Sequence, residues 1–352
     1  MRVLLPITLD RWRQSVATGL RETCLRVPDI SFYSFSHPLF EEDRILGETL
    51  WARPNMHLVN PFTVFLRPFD IVHHASSTNR NMTLAVLARV RALGCCRHLF
   101  TASIQPFRQD AWYRHYGLCV RLAHKVTAVS RTVADSVKKE FGRSVDEVIL
   151  NGVDLNFFSP EAAAPVAFDR FQIRKPFVIF AGCLEPRKRP DVFVKLSELL
   201  PDLDFVMLGG CSDTEEGRSY LSLIEQRPNV KYLGLQPRSV LRDLYANALA
   251  LIFPSEIEGL ALAVLEAQAM GLPVIAQPKT SMSEIVFDGT TGWLLPVREL
   301  DVWANKIREL LAWSESERKA YAVRSREATA RRHSWDLIAQ QYREIYSATQ
   351  RA

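Results

Sequence analysis

The chain of 352 residues has no apolar stretch of about 18 residues free of charge, so no membrane-spanning helix is expected. Its N-terminus, MRVLLPITLDRWRQ, follows one basic residue with an apolar run of only about six residues. That is too short for the core of an export signal, and the run reads as a first buried strand. Paired cysteines are also missing. Cys24, Cys95, Cys96, Cys119, Cys183 and Cys211 form no C-x-x-C spacing and have no nearby histidines at metal-ligand spacing. This argues against a zinc site and a disulfide framework, and makes the reducing cytoplasm the expected location. Nor does any recognition-helix or zinc-finger pattern accompany the basic residues, so nucleic acid is not an expected partner.

What is present describes a globular protein: 47% hydrophobic and 24% charged residues, in a chain long enough for two domains. The net charge of +5 is unevenly placed. Residues 1–160 carry 20 Lys/Arg against 14 Asp/Glu, whereas residues 161–352 carry 24 against 25. The surplus of +6 in the first half is either a solvated basic face or the mark of an anionic partner. A membrane surface, a lipid phosphate and an acidic glycan are the classes it admits.

Short apolar runs alternate with helical patterns throughout. Expected strands in the first half are RVLLPI (2–7), FDIVHHA (69–75), HLFTAS (98–103), KVTAVS (125–130) and EVILN (147–151). The pattern restarts after the Pro/Ala-rich connection 159–176, with FVIFAG (177–182), DFVMLGG (204–210), VKYLG (230–234), ALIFP (250–254), PVIAQ (273–277) and GWLLP (292–296). Strand–helix alternation in both halves predicts an α/β protein with two parallel sheets, whose ligands bind at the carboxyl edges of the strands. The expected division is a domain over 1–160, a second over 161–332 and a terminal helix over 333–352. Gly142 is expected to end a helix as its C′ residue.

The densest signal is SEIEGLALAVLEAQAMGLPVI, residues 255–275, where Glu258 and Glu266 flank an almost purely apolar run. The pattern predicts a helix from about Leu260 to Met270, stopped by Gly271 and Pro273, with Glu266 two turns inside. Eight residues of helix rise roughly 12 Å, too long for two carboxylates to share one bond. The spacing suits two ends of an elongated ligand, with an anion-binding helix start between them. An ordinary surface ion pair would satisfy the spacing equally well.

FPSEIEGLALAVLEAQAMGLPVIA as a whole closely resembles the signature of glycosyltransferase family 4, retaining nucleotide-sugar transferases of the GT-B fold. Residues 126–160, 177–210, 230–255 and 283–296 are similar to further family segments. The resemblance implies two Rossmann-like domains facing across a cleft, with the C-terminal helix crossing back to the first domain. It also implies a UDP- or GDP-sugar as donor, no permanently bound cofactor and no metal, and closure of the domains over the donor. By the same resemblance, Glu258 faces the transferred sugar and Lys188 neutralises the departing diphosphate. Glu266 holds the ribose, and backbone N–H groups of Gly259, Leu260, Ala261 and Leu262 receive the phosphates or sugar hydroxyls.

The chain departs from that pattern in four places. Cys183 stands where the family has a second phosphate-binding arginine, leaving Arg187 and Arg189 as neighbouring substitutes. Ala261 replaces the second glycine of the signature. The first loop lacks glycine and carries Arg11 and Arg13. Ser103 occupies a position where a histidine is usual, while His73 and His74 resemble another family strand end. Ser103, His73, Arg11 and Arg13 are therefore candidates for the acceptor or sugar side. Two readings fit: an active transferase for a glycan, lipid-linked or small-molecule acceptor, peripheral to an anionic membrane, or a non-catalytic homologue that binds nucleotide sugar or scaffolds a glycan-assembly complex.

Overall fold

The apolar runs become strands of two wholly parallel sheets. In the computed structural model the described residues are 1–8, 22–35, 54–59, 69–75, 96–108, 112–165, 168–174 and 176–351. The chain divides into two compact units, Met1–Gly152 with Trp335–Ala352, and Val153–Ser334.

The first unit holds β1 (Arg2–Thr8), β2 (Ser31–Phe35), β3 (Met56–Val59), β4 (Ile71–His74), β5 (Arg97–Ala102), β6 (Lys125–Ala128) and β7 (Glu147–Val148), in the order β3-β2-β1-β4-β5-β6-β7. The second holds β8 (Phe177–Ala181), β9 (Asp204–Leu208), β10 (Val230–Tyr232), β11 (Leu251–Phe253), β12 (Val274–Ala276) and β13 (Trp293–Leu294), in the order β10-β9-β8-β11-β12-β13. Each sheet therefore starts at its centre, winds outward one way, and reverses. The reversal falls between β1 and β4 in one unit and between β8 and β11 in the other. Ligands of such sheets lodge at that switch point, outside the carboxyl ends of the strands.

The central strands of the second sheet, β8, β9, β11 and β12, are buried and almost wholly apolar because helices cover both faces. Val178, Phe180, Phe205 and Met207 join Phe193, Leu196 and Trp303 in one buried cluster. The same sequence device braces the outer strands of both units. Asn55, just before β3, turns its amide nitrogen to the carbonyls of Cys24, Val27 and Ile30 at 3.1, 3.2 and 3.4 Å. Asn229, just before β10, does the same to Ser197, Leu200 and Leu203 at 3.1, 3.3 and 3.1 Å. A buried donor thus satisfies the carbonyls left over where a helix ends.

Helix ends follow local chemistry. Ser130 caps Arg131–Phe141 through the Val133 N–H, and Gly142 closes that helix at φ 70° as expected. The terminal helix Trp335–Arg351 belongs to the first unit, where Tyr342 and Tyr346 pack on His73.

Candidate functional site

Two loops meet at the switch point of the second sheet. The loop after β8 passes through Gly182 and Cys183 into a single turn, Pro186–Lys188. Arg189 then takes the left-handed conformation (φ 52°) and opens the helix Pro190–Leu199, with proline in its first position. The loop after β11 runs from Pro254 to Ala261. The backbone binds the two loops together: the Glu256 N–H donates to the Arg187 carbonyl at 2.8 Å, and the Ser255 hydroxyl oxygen lies 3.1 Å from that carbonyl. Arg189 bridges Asp191 at 2.9 Å and Glu256 at 2.7 Å. The Asp191 bonds, with those of Glu256, hold its guanidinium still more firmly in the charged form.

Across this strap lies the central contact. The Lys188 ammonium donates to one oxygen of Glu258 and sits 5.0 Å from the centre of the Phe253 ring. The Ser255 hydroxyl donates to the same oxygen at 2.6 Å, and the Arg187 guanidinium lies 3.8 Å from it. Arg187 is also paired with Glu185 at 2.8 Å. Glu258 is 7% exposed, so its charge is held by these donors rather than by water. Gly182 lies against the Lys188 stem: a Cβ there would sit 3.6 Å from Cδ. Cys183 is exposed at the end of the same strand.

The second glutamate stands on a shorter helix than expected. The helix runs Leu262–Ala269, so Gly259, Leu260 and Ala261 form buried loop and Glu266 lies just past the first turn, not two turns inside. Glu258 is thus off the helix axis, and helical rise does not measure the distance between the carboxylates. The apolar residues of this helix pack against β11, β12 and the helix Glu315–His333. Gly271 ends the helix at φ 72°, and any side chain there would meet Ala322, 2.6 Å from its Cβ.

Glu266, 8% exposed, is paired with Arg238 at 2.6 Å. The Arg238 guanidinium also lies 5.1 and 5.6 Å from the ring centres of Phe158 and Phe157. The buried Tyr245 is nearby; burial first, and then the Glu266 charge, push its phenol well up, keeping it protonated. Arg326 ties this region together, donating to the carbonyls of Leu155, Phe158 and Ala269 at 2.6–2.7 Å.

Of the residues expected on the sugar side, Arg11 and Arg13 lie outside the described residues. Ser103 is half-buried just beyond β5. His73 is fully buried, and its ring nitrogens face the Tyr346 hydroxyl at 2.7 Å and the Thr101 hydroxyl at 2.8 Å. Its ring belongs to the packing between the sheet and the terminal helix. Burial drives it and His74 down to about 3, so both are neutral at physiological pH. Sequence reasoning missed Ser255 and Arg238. Ser255 was legible as the residue three before Glu258. Arg238 was legible as a cation in the first turn of a helix, where the dipole disfavours it.

Residues 167–327 match the family model for glycosyl transferases group 1. The chain is similar to the D-inositol 3-phosphate glycosyltransferase of Xylanimonas cellulosilytica, 30% identical over 247 residues, covering 66% of this chain and 59% of that protein. It is 33% identical over 168 residues to the protein of that name from Mycobacteroides abscessus, covering 46% and 38%. The chain thus spans less than two thirds of the length of either relative. Among solved structures it resembles Anabaena HepE in complex with UDP and glucose, at TM-score 0.82 and 18% identity, covering 99% of this chain and 100% of that one. A Rickettsia africae glycosyltransferase gives 0.80 at 18% identity, covering 99% and 98%. These structural likenesses are of fold, and the fold is GT-B.

Proposed function

We propose that this chain, whose residues 167–327 are a group 1 glycosyl transferase domain and whose units have the GT-B fold, moves a sugar from a nucleoside diphosphate sugar to an acceptor hydroxyl. The observation that carries this reading is the meeting of Lys188 and Glu258 at the switch point of the second sheet, with Glu266 on the helix that follows. Those elements supply a cation for a diphosphate and carboxylates for hydroxyl groups at the edge where such sheets bind ligands.

In this reading Glu266 accepts hydrogen bonds from the ribose, and Glu258 orients hydroxyls of the transferred sugar. Lys188 turns from Glu258 to the diphosphate, where negative charge grows as the sugar–oxygen bond breaks and its electron pair passes to the phosphate. The acceptor oxygen bonds to the anomeric carbon, and its proton passes to the departing phosphate. Retention of configuration is carried over from the family resemblance. Binding of UDP and of UDP-glucose by HepE makes a UDP-sugar the first donor to test, with GDP-sugars second.

The acceptor belongs to a glycan, a lipid-linked or a small molecule. Relatives named for D-inositol 3-phosphate favour a phosphorylated small molecule, and the +6 surplus of residues 1–160 suits any anionic acceptor or an anionic membrane. The experiment is a panel of UDP- and GDP-sugars, scored for donor binding and for release of free nucleotide, with wild type and Lys188→Ala. Binding with turnover that falls by orders of magnitude in the variant supports the proposal. Binding without turnover of any donor supports the non-catalytic homologue instead. Equal turnover by both proteins overturns the site assignment.

A further inference from the structure

Arg238 occupies the first position of the helix Arg238–Tyr245, the end where a positive charge is electrostatically disfavoured. Something else must hold it there, and two contacts do. Its Nη2 donates to Glu266 at 2.6 Å, and its guanidinium plane rests near Phe157 and Phe158. The Arg238 side chain is 44% exposed while that of Glu266 is 10% exposed, so the pair is a solvent-facing cation anchoring a nearly buried carboxylate. Without it, Glu266 would face a desolvated position close to the buried Tyr245 phenol.

We propose that Arg238 is a positioning residue for nucleotide recognition: it fixes the plane of the Glu266 carboxylate in the orientation that meets the two hydroxyls of a ribose. This rests on the reading that Glu266 meets the donor's ribose. Arg238 holds the carboxylate through Oε1, beside the other contacts that Glu266 makes. Pinning that oxygen sets the plane of the group, and a vicinal diol then meets a fixed pair of acceptors. The Phe157 and Phe158 rings fix the guanidinium in turn, so the chain of restraint runs from aromatic rings through arginine to carboxylate. Lysine lacks the planar fork and would hold the carboxylate less firmly.

The test compares binding of UDP and 2′,3′-dideoxy-UDP, or the guanosine pair if GDP binds more tightly, to wild type, Arg238→Ala and Arg238→Lys. Hydrogen bonds to a charged group discriminate by about 10–100-fold, which is the preference expected of wild type for the ribonucleotide. Arg238→Ala should reduce that preference to under about threefold, with affinity for the dideoxy analogue little changed. Arg238→Lys should fall between. If Arg238→Ala weakens both nucleotides equally, or tightens the ribonucleotide, the positioning role is wrong while the ribose reading stands. If wild type itself shows no preference, the ribose reading fails and the inference falls with it.

Discussion

The Lys188 ammonium and the Glu258 carboxylate form an ion pair between the loops that follow β8 and β11. Lys188 is 13% and Glu258 9% exposed at the side chain, so each is the other's main compensation for lost water. Lys188→Ala should destabilise the second unit by about 1–3 kcal/mol, less than for a fully isolated charge because Ser255 and Arg187 still face Glu258. Adding Glu258→Gln should recover part of that loss. Urea denaturation of both single variants and the double variant measures the coupling; strictly additive losses would show that the pair contributes nothing.

Asn229 makes a second stability prediction. Its amide nitrogen serves three buried carbonyls. Asn229→Ala should cost about 1–3 kcal/mol, and Asn229→Asp at least as much, because it sets a carboxylate against three acceptors. Thermal melts of the two variants check the ranking, and an aspartate variant as stable as wild type would refute it.

Acid should destabilise the first unit. In the unfolded chain His73 and His74 titrate near the ordinary value of 6.5, whereas burial takes both down to about 3 in the fold. Between those values the unfolded chain binds the protons and the folded chain does not. Stability is therefore full above about pH 6.5 and falls as pH drops, by about 1.4 kcal/mol per pH unit for each histidine. His74 has neither ring nitrogen bonded among the described residues and lies 5.6 Å from the Phe100 ring. His74→Phe should accordingly lessen the slope of stability between pH 6 and pH 4 in urea titrations, by up to about 1.4 kcal/mol per pH unit. An unchanged slope would contradict the assignment.

Thiol labelling should report on the site. Burial raises the Cys24 thiol and pushes Cys119 up to about 12, and both side chains are enclosed. Cys183 is exposed beside Gly182 and the Lys188 loop. Iodoacetamide followed by peptide mass mapping should find Cys183 modified well before Cys24 and Cys119, and UDP should slow its labelling. Labelling of Cys183 at the same rate with saturating UDP would place the nucleotide elsewhere.

Much of this architecture was legible because β4 to β6 and β8 to β13 are apolar strings bounded by turn residues. Serine and aromatic residues made β2, SFYSF, hard to see: it offers no aliphatic run, yet Phe32 and Ser34 are both buried. The four-residue β3 is held in place by Asn55, a tertiary device without a local pattern. Glu258 and Glu266 could be singled out because their signature is contiguous, and Lys188 because it lies in the separate similar segment 177–210. Which residues pair could not be read. Arg238 lies 28 residues from Glu266, and Lys188 lies 70 from Glu258, so only the winding of the sheet brings each pair together. The helix start moved from Leu260 to Leu262 because periodicity records which residues are apolar, not where packing forces the backbone to turn.

The most direct test of the central claim is calorimetric binding of UDP, GDP and their sugars to wild type and to Glu266→Gln. The account predicts saturable binding to wild type by at least one of these ligands, weakened by about 10–100-fold or more in the variant. Equal affinity for wild type and Glu266→Gln would contradict it.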